Sequence, residues 1–196
     1  MKKHRIFIAI NLPPDIKKKF KEYQQKFESI FVERGFKKGE LFRWTKEPSL
    51  HITLAFIGYV DEDQLVNICR LMKIVAKKYE AFNIVLNNID YGPPSKTPRM
   101  IWIGGDVNDE FLMLKKDIDD ALVQQYWSGF YRIEKRAPKI HITLGRRKSI
   151  VGGLPEIKEK VNIIIPVNSI EVMESELKKD GAEYTVFETC NLGLEE

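Results

Sequence analysis

Residues 49–60, SLHITLAFIGYV, and residues 138–147, PKIHITLGRR, share the tetrapeptide His-Ile-Thr-Leu, at His51–Leu54 and again at His141–Leu144. Both copies lie in apolar, β-rich runs, and successive side chains of a strand point to opposite faces. His51 and Thr53 therefore share one face and Ile52 and Leu54 the other; His141 and Thr143 oppose Ile142 and Leu144 in the same way. Two of the chain's three histidines are spent on this repeat. Packing accounts for the apolar pair but gives no reason to repeat both His and Thr opposite it. Two strands that each present an imidazole and a hydroxyl supply one acid, one base and two hydrogen-bond donors around a single anionic centre. Two other readings compete. A strand histidine is commonly a packed or solvated residue. Zinc is the second, but two histidines are an incomplete ligand set, and no H-E-x-x-H or C-x-x-C spacing completes it, so neither metal nor cofactor is expected.

Around the motifs the order is strand, helix, strand, twice over. HRIFIAINL reads as a first strand, and Pro13-Pro14-Asp15 opens a helix with Ile16, Phe20, Tyr23, Phe27 and Ile30 at spacings of three and four. A basic loop from Gly35 to Gly39 and a short strand from Leu41 to Thr45 lead to the motif strand His51–Tyr59. Asp61 with Gln64 resembles a capping box for a helix through Leu65, Ile68, Met72, Val75 and Tyr79. A strand pair follows, Phe82–Ile89 and Arg99–Ile103, separated by the proline-rich YGPPSKTP, a candidate to line the site. The next helix spans Asn108 to Gln125, and a looser segment reaches the His141 strand. After Gly152-Gly153 come two last strands, Val161–Met173 and Tyr184–Thr189, with a turn at Lys179-Asp180-Gly181. The pattern predicts an α+β fold: one two-lobed domain over residues 1–196, two antiparallel sheets lining a central cleft, helices outside.

At 196 residues and 43% apolar content the chain can bury a substantial core. No run approaches a membrane-spanning length, and MKKHRIFIAINLPPD reads as a strand rather than a signal peptide, so no membrane partner is expected. Two cysteines without an evident pairing, Cys69 and Cys190, suit a reducing compartment, the cytoplasm by default. The net charge of +4 is too small to prove a nucleic-acid partner. However, seven basic residues against one acid lie between Arg132 and Lys148, flanking the second motif. Such a rim attracts a polyanion, RNA above all, although a solvated charge run is the ordinary alternative.

HRIFIAINLP, FRWTKEPSLHITLAFIG, PRMIWIGG, APKIHITLGRR and VMESELKKDGAEYTVFET, in that order, resemble the two-histidine phosphoesterase superfamily. More narrowly they are similar to the LigT-type RNA 2′,3′-cyclic phosphodiesterases, also called 2′-5′ RNA ligases. The resemblance implies a bilobal, pseudo-symmetric fold and metal-independent hydrolysis of RNA 2′,3′-cyclic phosphate ends to 2′-phosphates, with 2′-5′ ligation as a side activity. Its substrates would be RNA ends such as those of tRNA halves, and the protein a monomer. By the same resemblance His51 is the proton donor to the departing 3′ oxygen and His141 the base that activates water. Thr53, Thr143 and Arg146 then bind the phosphate. Strict alternation from His141 would instead turn Arg147 to the cleft, and a bulge near Gly145 favours Arg146. Phe7, Trp44, Tyr91 and Trp102 are candidates to stack a terminal base, with core packing expected for most of them. Other readings are a phosphodiesterase for another 2′-linked or small-RNA 3′-end substrate and a non-catalytic RNA-end-binding module.

Overall fold

The computed structural model describes residues 2–126, 131–148, 153–178 and 181–193. Nine strands and three helices alternate along these residues: β1 (His4–Asn11), α1 (Pro14–Glu33), β2 (Phe42–Trp44), β3 (His51–Val60), α2 (Glu62–Ala76), β4 (Phe82–Gly92), β5 (Met100–Gly105), α3 (Asp109–Tyr126), β6 (Ile140–Arg147), β7 (Glu159–Val167), β8 (Ser169–Lys178) and β9 (Gly181–Asn191). The strands form two antiparallel sheets, β3-β1-β8-β9 and β2-β6-β5-β4-β7, so the fold is α+β with one motif strand in each sheet. The motif strands β3 and β6 adjoin.

One expectation fails. The run Val161–Met173 is not a single strand but two, β7 and β8, which belong to different sheets. The chain crosses between lobes at Asn168, just after Pro166, and both pieces are apolar on alternate positions, so periodicity alone gave no sign of the break. Lys179, Asp180 and Gly152 lie outside the described residues. Strand β4 also continues to Gly92, three residues beyond its expected end at Ile89.

Local chemistry explains the helices. Pro14 sits in the first turn of α1, where a missing N–H costs nothing. Asp61 and Gln64 close the capping box of α2, and Leu65, Ile68, Met72 and Val75 form its buried stripe. Helix α1 follows a strand of the first sheet yet packs against β6 of the second, stacking Phe31 on Phe42 and Trp44. Helix α3 follows a strand of the second sheet and contacts α2 and β3. The two lobes are tied by these exchanged helices, and one buried apolar cluster takes in Ile8, Ile52, Phe20, Ile103 and Ile142 together. No helix among the described residues is long and apolar enough to cross a membrane.

A polar group anchors α1 in this core. Gln24 is buried, and its Nε2 donates to the carbonyls of Thr45 and Leu144, both at 2.9 Å. Each carbonyl lies beside the second motif, where the backbone departs from regular pairing. Truncation would leave the Thr45 carbonyl without this donor and open a void. Gln24→Ala is therefore expected to lose about 1–3 kcal/mol in urea denaturation, the cost of an unmet buried polar group. A loss below about 0.5 kcal/mol would mean that water replaces the amide.

Candidate active site

Each motif contains the same irregularity. Between β1 and β3 the register passes from Ile8↔Ala55 to Ala9↔Thr53, leaving Leu54 unopposed. Between β5 and β6 it passes from Ile101↔Gly145 to Trp102↔Thr143, leaving Leu144 unopposed. An extra residue in one strand is a β-bulge, and it resets which face the following side chains take. Leu54 and Leu144 stay buried, Ala55 and Gly145 follow them inward, and the next residues, Phe56 and Arg146, return to the side of His and Thr. The bulge thus selects Arg146 over Arg147. The Arg146 guanidinium donates to Met100 Sδ at 3.4 Å, and the Thr143 hydroxyl approaches the same sulfur at 3.8 Å. Arg147 pairs opposite the buried Phe42, on the other face.

The two imidazoles are held alike. Nδ1 of His51 donates to the Ser49 carbonyl at 2.8 Å, and Nδ1 of His141 donates to the Lys139 carbonyl at 3.4 Å. A carbonyl only accepts, so each ring carries a proton on Nδ1 and keeps Nε2 for a ligand. His51 packs against Phe7 and Tyr184, at centroid distances of 5.0 and 5.1 Å. His141 lies 4.2 Å from the indole of Trp102. Trp102 in turn covers Gly92 so closely that a Cβ there would stand 2.2 Å from the ring, so glycine is required at that seat. Burial lowers the proton affinity of both histidines, that of His51 to a pKa of about 4, with smaller contributions in the same direction from the nearby charge of Arg146. His51 also feels the charges of Lys17 and His141.

Several neighbours carried no motif in the sequence. Lys17 Nζ donates to Asn11 Oδ1 at 2.7 Å, and Asn11, which pairs opposite His51, donates its backbone N–H to the buried Glu171 at 2.8 Å. Desolvation lowers the Lys17 pKa and raises that of Glu171. Of the aromatic candidates, Phe7 and Trp102 touch the histidines, whereas Trp44 and Tyr91 stack on Phe42 behind the sheet. A cavity of about 250 Å³ opens beside His141, bounded by Trp102, Asp90, Asn88, Gly104 and, from the proline-rich linker, Pro94. Among the described residues no three His, Cys, Asp or Glu side chains are grouped closely enough to hold a metal ion. Members of the basic run have different surroundings. Arg146 turns to the histidines, Lys148 donates to the Gly39 carbonyl at 2.5 Å, and Arg136 is paired with Glu134 at 2.9 Å.

Two adjoining lobes each present an Nδ1-anchored histidine and a threonine from a bulged strand. The model of the LigT-like phosphoesterase family matches residues 10–102, which include the first motif and Trp102. A curated Thermotoga maritima protein named RNA 2′,3′-cyclic phosphodiesterase is 27% identical over 95% of this chain and 94% of its own length. One of the same name from Methanocaldococcus jannaschii is 29% identical over 93% and 97%. A crystal structure of a Thermus thermophilus protein superposes with a TM-score of 0.82 at 26% identity, over 97% of this chain and all of the other. Escherichia coli LigT, solved with 3′-AMP, shares the fold at a TM-score of 0.73 and 22% identity, over 97% of this chain and 99% of its own. Over residues 10–102 the chain matches the LigT-like phosphoesterase family, and over nearly its whole length it is similar to the curated phosphodiesterases and to the Thermus thermophilus structure.

The partly buried His51 makes stability depend on pH. Its folded pKa, about 4, lies below the unfolded value near 6.5, so the unfolded chain binds more protons between these limits. Stability is retained above pH 6.5 and lost as pH falls toward 4, by about 3 kcal/mol from this group alone. Denaturant titrations across that window are expected to show the loss, and His51→Asn to flatten it. An unchanged slope in the variant would show that His51 titrates normally in the fold.

Proposed function

We propose that the chain hydrolyses ribose 2′,3′-cyclic phosphates at RNA 3′ ends to 2′-phosphates, without metal, by paired-histidine acid–base catalysis. The observation that carries this reading is the repetition of the bulged His-x-Thr unit with Nε2 left available in both copies. The names of the curated relatives support the substrate class. In the proposed reaction His141 Nε2 takes a proton from water, whose oxygen attacks phosphorus. The bond from phosphorus to O3′ breaks, and His51 Nε2–H protonates the departing O3′, leaving a 3′-hydroxyl and a 2′-phosphate. Thr53, Thr143 and Arg146 bind the non-bridging oxygens, whose charge grows toward the transition state.

The acid must be charged, yet burial by the protein alone holds His51 neutral at pH 7. A bound phosphodiester removes the conflict, because its negative charge beside the ring restores the affinity for a proton. The Ser49 carbonyl acts in the same direction, and its 2.8 Å bond to His51 is shorter than the 3.4 Å counterpart at His141. The assignment of His51 as the acid and His141 as the base follows the resemblance to the two-histidine phosphoesterases. We extend the reading to a single two-lobed unit acting as a monomer on cytoplasmic RNA, with tRNA halves as one candidate. Ligation of RNA halves through a 2′-5′ linkage, the reverse of a related transesterification, is the side activity this pair of groups allows.

His51→Ala and His141→Ala are each expected to lower kcat by about 10²–10⁴-fold on a cyclic-phosphate-ended oligonucleotide, with smaller changes in binding. Near wild-type turnover by either variant would sink the assignment. Chromatography should identify 2′-phosphate as the product; a 3′-phosphate would mean that acid and base are exchanged. Turnover should also persist in EDTA, and its loss with recovery on adding one divalent ion would point to metal-assisted hydrolysis.

A further inference from the structure

Arg43, on the edge strand β2, pairs directly opposite Arg146. Opposed residues of an antiparallel pair share a face, so Arg43 stands on the side of Thr143 and His141, while its neighbours Phe42 and Trp44 turn back toward α1. Like charges directly opposite one another destabilise a sheet. The chain has 28 carboxylate side chains to neutralise such a pair, yet no ion pair among the described residues involves either guanidinium. The other cation near the histidines, Lys17, is already accompanied by Glu171 and Glu47. A nucleoside 2′,3′-cyclic phosphate brings one negative charge, enough for one arginine. The second remains unanswered unless the ligand carries another anion about 5 Å further toward the sheet edge, the usual distance between opposed side chains.

We propose that Arg43 and Arg146 together form a two-phosphate clamp, in which Arg146 takes the terminal cyclic phosphate and Arg43 the next phosphodiester of the same RNA strand. This rests on the proposed function and deepens it: the preferred substrate is an oligonucleotide end rather than a free cyclic nucleotide. The guanidinium fork suits phosphate oxygens in both positions. A charge on an edge strand also discourages sheet-to-sheet association, and that role alone would leave ligand binding untouched when Arg43 is replaced.

The test compares uridine 2′,3′-cyclic phosphate with the dinucleotide UpU ending in 2′,3′-cyclic phosphate, and in parallel the calorimetric binding of the corresponding 3′-phosphates, Up and UpUp. In Arg43→Gln the KM for the dinucleotide and the Kd for UpUp are expected to rise about ten-fold, the scale of one charge-assisted contact. The mononucleotide values should stay within about two-fold, and the salt slope for UpUp should fall by about one. Arg43→Lys should retain part of the preference, since it keeps the charge without the fork. A UpUp analogue with an uncharged methylphosphonate linkage should bind wild type and Arg43→Gln alike. Equal losses on mononucleotide and dinucleotide, no loss on either, or tight wild-type binding of the methylphosphonate would overturn the clamp. If wild type hydrolyses neither cyclic phosphate, the proposed activity falls, whereas the calorimetry still decides whether a second phosphate is held.

Discussion

The site depends on one backbone constraint: an unopposed leucine directly after each His-x-Thr. Without it, strict alternation would keep His51, Thr53 and Ala55 on one face, and His141, Thr143 and Gly145 on the other motif's face, and would bury Phe56 and Arg146. The inserted Leu54 and Leu144 keep both strands anchored in the core and return the next side chain to the histidine face. A bulge interrupts the hydrogen-bond ladder, so its carbonyl needs other donors. At Leu144 these are the Thr45 N–H and the Gln24 amide, both at 2.9 Å. The helix that delivers Gln24 comes from the other lobe's first strand, so the interlobe packing and the local backbone geometry of the second motif are one arrangement.

The same burial that fixes the histidines opposes their charging. His51 lies between Phe7 and Tyr184 and His141 against Trp102, surroundings that desolvate an imidazolium. The nearby cations Lys17 and Arg146 add to the effect. In such surroundings a ligand's negative charge offsets the arginine and raises the affinity of Nε2 for a proton in a single event. Under the proposed reaction, protonation of the acid is thereby coupled to substrate binding rather than present beforehand.

The motifs, both strands that carry them, the capping box of α2 and the two-sheet architecture were legible because each rests on local periodicity or on short fixed spacings. Arg146 is chosen over Arg147 from the family resemblance, and strand alternation agrees with it only as far as Gly145 suggests a bulge. Periodicity could not reveal the crossing at Asn168, where apolar alternation continues through a change of sheet. Nor could it reveal Arg43, Lys17 or Asn11, whose relation to the histidines depends on cross-strand register and helix docking, neither of which is a property of the local sequence. Proximity along the chain says little once a strand sends Arg146 and Arg147 to opposite faces.

The repeat is most informative where it breaks. Position for position, the two bulged strands match in His, Thr, Leu and a small residue, and then diverge: Phe56 in the first lobe and Arg146 in the second. Phe56 is 63% exposed and lies 5.8 Å from Phe7, so that edge of the site is aromatic and uncharged. The Arg146 edge is cationic and continues to Arg43. A symmetric pair of histidines alone cannot tell one ester oxygen of a cyclic phosphate from the other, since each ring can give or take a proton at Nε2. The difference in their flanks can. Under the proposed reaction, a ligand whose anionic chain leads toward Arg146 presents its two ester oxygens unequally to His51 and His141, so the side chains just past the bulges contribute to the direction of the reaction.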